Sequence, residues 1–121
     1  MTNPRYVPAD LCYPSEHFGL ESVAWHGPRA VATRLGITAL AADDWILASA
    51  LQHEYVRAIR RVLERRGISV PVFADDAEQG YLRTLRMLKG EVVMRFEDVV
   101  RAERVLEIDL SAIPRLVRER G

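Results

Sequence analysis

An all-α fold is predicted for this chain, as a single compact domain of five or six helices behind a proline- and aromatic-rich N-terminal arm. Three observations predict it. Thr38 to Gly67 reads as one long amphipathic helix, capped at its start and terminated by a glycine. The remaining apolar residues also recur at intervals of three and four. The one candidate β-run, Glu91 to Phe96, is absorbed by a longer helical period that takes in Val92, Phe96, Val99, Val100 and Leu106.

Residues 1–14 hold Pro4, Pro8 and Pro14, which fix φ and remove backbone donors too often for a regular element. They read as an extended arm, with Tyr6, Val7, Leu11 and Tyr13 as apolar matter to bury. Ser15 is a candidate cap for a short helix carrying Phe18, Ser22 and Trp25 on one stripe, weakened by Gly19. Pro28 suits a first helical turn, and Gly36 suits the left-handed terminator of a helix from about Pro28 to Leu35. Residues 28–66 then form a helix-turn-helix corner with a long central helix, which Thr38 can cap.

On that long helix Leu47, Leu51, Tyr55, Ala58 and Val62 form the predicted core stripe, flanked by Trp45, Ile59 and Leu63. His53, Arg57, Arg60, Arg61 and Glu64 fall on the opposite face. Arg65 and Arg66 stand in the last turn, where the helix dipole favours cations. After a Val70-Pro71-Val72 link, Asp75 and Glu78 have capping-box spacing for a helix with Ala77, Tyr81, Leu85 and Leu88 inward and Gly90 at its close. Leu110-Ser111 offers a cap before a last short helix with Pro114 in its first turn.

A length of 121 residues is that of one domain, and 49% hydrophobic with 28% charged residues is an ordinary globular balance. Seventeen basic and seventeen acidic groups cancel, which argues against whole-molecule attraction to nucleic acid. Residues 1–56 are acidic on balance and residues 57–121 basic. A single cysteine, Cys12, excludes an internal disulfide and suits a reducing compartment. No apolar core follows the first residues and no long apolar run occurs, so a cytoplasmic protein without membrane contact is expected.

Ala32, Gly36 and Ile37 supply the small residue, turn glycine and hydrophobe of a DNA-reading helix-turn-helix, and the string from Ala30 to Thr38 resembles that motif locally. Arg29, Arg34 and Thr38 are then its phosphate and base contacts. The reading helix, however, offers Asp43 and Asp44, with no Arg, Lys, Asn or Gln before Gln52. Cys12, His17 and His26 include metal-ligand types, but their spacing departs from that of zinc sites, and no nucleophile motif or phosphate loop occurs. A metal-binding or enzymatic domain is therefore the second alternative, with no catalytic residue, metal ligand or cofactor assigned.

The leading expectation is a non-enzymatic helical adaptor, regulator or structural assembly protein that binds polypeptides, copies of itself included. Four of the nine aromatics, Tyr6, Tyr13, Phe18 and Trp25, lie within the first 26 residues beside stiffening prolines. Rigid aromatic anchors lose little entropy on docking. Arg57, Arg60 and Arg61 on the long helix complete the expected partner-binding set, as charge-assisted contacts to an acidic surface.

Overall fold

Helices dominate the molecule, as the apolar spacing requires. The computed structural model describes residues 6–120. The first five residues of the arm, Pro4 among them, and Gly121 lie outside the described residues. The helices are α1 (Pro28–Leu35), α2 (Ala39–Arg66), α3 (Val70–Asp76), α4 (Tyr81–Leu88), α5 (Phe96–Leu106) and α6 (Ile113–Arg120). Ahead of them, 3-10 turns at Pro8–Leu11 and Ser15–His17 flank a two-residue antiparallel pairing of β1 (Cys12–Tyr13) with β2 (Ala24–Trp25). Among the described residues no helix is long and apolar enough to cross a membrane.

The central element is α2, whose 28 residues extend about 42 Å at 1.5 Å per residue. Its ends form as the local chemistry dictates. The Ala41 amide donates to Thr38 Oγ1 at 3.1 Å, and Gly67 takes the left-handed conformation at φ 64°. Gly36 closes α1 in the same way at φ 67°.

The buried face of α2 differs from the predicted one. Ala42, Ile46, Ser49, Gln52, His53, Val56, Ile59, Val62 and Leu63 face inward, whereas Leu47 is 48% exposed and Leu51, Tyr55 and Ala58 are half-buried. The core stripe is thus turned away from Leu47, Leu51, Tyr55 and Ala58, although Val62 and the flanking Ile59 and Leu63 are buried as predicted. Polar partners cause the rotation. Gln52 Nε2 donates to the Met87 and Val92 carbonyls at 3.0 and 2.9 Å, and its Oε1 accepts from the Met94 amide at 2.8 Å. His53 Nδ1 accepts from the Gly19 amide at 2.8 Å.

Those bonds explain two further departures. Residues 91–95 are neither strand nor helix, because Gln52 satisfies their backbone in place of a regular ladder. The helix expected to carry Phe18, Ser22 and Trp25 on one stripe is absent. Instead the chain turns at Gly19 (φ 72°), buries Phe18 and enters β2.

The Val70-Pro71-Val72 segment is the first turn of α3, not a link. Ser69 caps it, its Oγ accepting from the Val72 amide at 3.4 Å, and Pro71 suits the first turn because no helical bond is needed there. Asp75 therefore ends a helix rather than starting one, Glu78 sits at φ 56°, and Gly80 precedes α4. In α4, Tyr81 is 45% exposed while Thr84, Met87 and Leu88 are buried.

The arm lies on its own domain. Pro8, Ala9, Leu11 and Cys12 are buried, the Ala9 amide donates to the Gly90 carbonyl at 3.0 Å, and Tyr6 stacks on Trp45 with ring centres 4.7 Å apart. Phe18 fills the space above Gly90, where a Cβ would stand 2.6 Å from the ring. Gly90→Ala combines that collision with φ 73°, whereas Gly36→Ala meets only the left-handed strain, with nothing within 4 Å. Denaturant unfolding is expected to show a loss of about 1 kcal/mol for Gly36→Ala and about 3 kcal/mol for Gly90→Ala. Equal losses would contradict the packing described for Phe18.

Candidate functional site

The residues singled out from the sequence are dispersed by the fold. Phe18, 2% exposed, is core and offers no surface to a partner. Tyr6 is half-buried against Trp45, and Trp25 is half-buried in a T-shaped pair with His53. Of the four arm aromatics Tyr13 is the accessible one, 53% exposed and tilted against His26.

The arginines divide likewise. Arg57 Nη1 lies 3.7 Å from Glu54 Oε2. Arg60 is half-buried, and burial pulls its pKa below the ordinary guanidinium value. Arg66 Nη1 donates to the Leu106 carbonyl at 2.6 Å, tying the end of α2 to the end of α5. Arg61 and Arg65 are exposed, as is Arg66. The cations are spread over several sides of α2 because the core face turned toward them.

At the α1–α2 corner Arg29 is exposed, Arg34 Nη2 donates to the Asp10 carbonyl at 3.1 Å, and Thr38 is occupied as a cap. Exposed Leu40, Asp43 and Asp44 occupy the start of α2. His17 pairs with Glu21 at 3.4 Å and His26 lies beside Tyr13, while Cys12 Sγ donates to the Ala9 carbonyl at 3.3 Å. Burial, then Asp10 and Glu16, push the Cys12 thiol up to about 11, so it keeps its proton at neutral pH.

A different surface stands out in the structure. Phe96, the first residue of α5, is 89% exposed, and Val100 one turn later is 60% exposed. At the start of α4, Leu82 and Tyr81 are 61% and 45% exposed. The two helix starts are locked together by Asp98. Arg83 donates to both its oxygens at 2.8 and 2.9 Å, Gln79 Nε2 donates to Oδ1 at 2.7 Å, and the Arg95 amide donates to Oδ2 at 2.8 Å. Asp98 thereby joins α4 to α5 and caps α5 in one step.

The helical reading placed Phe96 in a core stripe. The inward face of α5 instead carries Asp98, Ala102 and Leu106, which puts Phe96 and Val100 outside. The available signal was Asp98 itself, three residues after Arg95, at the spacing of a carboxylate that reaches back to its own helix start. What hid it was charge, since an aspartate between two apolar positions reads as solvated.

The chain matches no family model, no curated protein and no solved structure at a significant level.

Burial would raise the Asp98 carboxyl, but its hydrogen bonds from Arg83, the Arg95 amide and Gln79 outweigh it and hold the group below its ordinary 3.8. A carboxyl depressed on folding contributes its full stability above the unfolded value and loses it as pH falls through the folded one. Asp98→Asn is expected to cost about 2 kcal/mol at neutral pH, because it removes the buried carboxylate that Arg83, itself a third exposed, donates to. The gap from the parent protein should hold steady from about pH 7 to pH 5 and narrow below about pH 4. A gap independent of pH down to about pH 2 would contradict this role.

Proposed function

We propose that this chain is a non-enzymatic binding protein, an adaptor, regulator or assembly component, and that it docks another polypeptide through the α4–α5 edge. Copies of itself are included among the partners. The observation carrying the reading is the 89% exposure of Phe96 on a corner where Arg83 holds the buried Asp98 carboxylate. Apolar surface left in water is costly to keep, and a fixed anchor loses little conformational entropy on association. Val100 adds apolar surface one turn along α5, Leu82 and Tyr81 are exposed at the start of α4, and Arg86, Glu97 and Arg104 are exposed charges on the same two helices. The proposed setting is the cytoplasm, where a lone buried thiol such as Cys12 stays reduced.

The test joins affinity capture from the native cell with sedimentation of the pure protein at two concentrations. Phe96→Ser with Val100→Ser is expected to weaken partner capture or self-association by at least about 30-fold, the effect of removing a hot spot. The melting temperature should stay within about 3 °C, since neither side chain supports the core. Association unchanged by the double substitution would contradict the proposal. So would salt-sensitive binding to duplex DNA that is lost on changing Arg29 and Arg34 to alanine.

A further inference from the structure

The two most exposed large apolar side chains among the described residues are Phe96, which opens α5, and Leu40, 74% exposed in the first turn of α2. Leu40 belongs to a stripe. Leu40, Asp43, Asp44 and Leu47 follow at steps of three and four residues, so they share one face of the helix, and all four are exposed. The opposite face of the same turns carries the buried Ala42, Ile46 and Ser49. Residues 38–53 contain these two aspartates and no Lys or Arg, which leaves the stripe acidic. The helix dipole does not account for them, because neither stands in the first turn. Leu47, at the far end of the stripe, also borders a cleft of about 310 Å³ that it shares with Val23, Trp25, Ala50 and Val117.

The stripe on α5 has the reverse charge. Phe96, Val100 and Arg104 recur at four-residue steps, and all three are exposed. Between residues 81 and 106 the exposed charges are Arg86, Lys89, Arg95 and Arg104 against Glu91 and Glu97. The two stripes also match in length. Leu40 to Leu47 spans about 10 Å of helix, and Phe96 to Arg104 about 12 Å. Both face solvent in the same molecule, so each is covered only by something from outside it.

We propose that a second copy of this chain docks on the α4–α5 edge through its α2 stripe, Phe96 seating at Leu47 and the cleft beside it while Arg104 meets Asp43 and Asp44. The inference rests on the reading of Phe96 as a docking anchor, and it names the partner. A protruding ring and an apolar recess supply the burial, and the opposed charges set orientation and register. The two surfaces differ, so the contact is heterologous and a bound pair still presents one free surface of each kind. Copies therefore add head to tail, into an open chain or a ring. Surfaces this small hold weakly, with a Kd on the order of 100 µM.

Sedimentation of the full-length protein from about 10 µM to about 1 mM reads the association. The average mass is expected to climb past that of a dimer. Phe96→Ser removes the anchor, and Asp43→Arg with Asp44→Arg reverses the acidic stripe. Each change is expected to weaken association at least about 30-fold, with the melting temperature within about 5 °C of the parent. Mixed in equal amounts, the two variants keep one intact surface each, and they are expected to form a dimer that grows no further. A parent monomeric at about 1 mM, a mass that levels off at the dimer, no dimer in the mixture, or association indifferent to the aspartate reversal would overturn the proposal. Those results leave the docking role of Phe96 standing wherever Phe96→Ser still weakens capture of a partner. Association untouched by Phe96→Ser would overturn both.

Discussion

Two adjacent side chains in the middle of α2, Gln52 and His53, hold the non-helical parts of this protein in place. Gln52 makes one hydrogen bond to the Met87 carbonyl in α4 and two to the backbone of the segment that follows it, and His53 makes one to Gly19, just beyond the arm. Both are buried, so each bond is made where water does not compete and where an unmade one costs about 1–3 kcal/mol. The apolar contacts follow from this. Phe18 drops against Gly90 because Gly19 and Met87–Met94 are each tied to the same two turns of α2.

Local signals in the sequence were reliable wherever a single backbone group was at stake. Thr38, Gly36 and Gly67 act as cap and terminators, since each meets a requirement set within four residues. Longer-range choices were less legible. The apolar residues of α2 support more than one helical phase, and the deciding partners of Gln52 and His53 lie 34 to 42 positions away. A pattern that counts hydrophobes turns buried polar residues outward, and the predicted face of α2 was displaced for that reason. The same cause hid Asp98, while Ser69 and Pro71 carried a start signal for α3 that Asp75 and Glu78 outweighed on paper alone.

The aromatic arm shows how composition and placement separate. Its rings looked like recognition anchors, yet Phe18 is core and Tyr6 and Trp25 are half-buried against Trp45 and His53. That use of aromatics supplies apolar mass to a chain whose long helix gives part of its inner face to Ser49, Gln52 and His53. The proposed recognition surface moves accordingly to the α4–α5 edge. There the buried Asp98 carboxylate ties two helix starts through Arg83, and Phe96, the most exposed of the large apolar residues described, projects from one of them.

The central claim, that α2 pins the arm and the segment after α4 through these two side chains, is tested most directly by native-state hydrogen exchange at the Gly19 and Met94 amides. Both should exchange only through near-global unfolding in the parent protein. Gln52→Leu should release Met94 while Gly19 stays protected, and His53→Phe should do the reverse. Rapid exchange at both amides in the parent protein, or no selective release in either variant, would contradict the account.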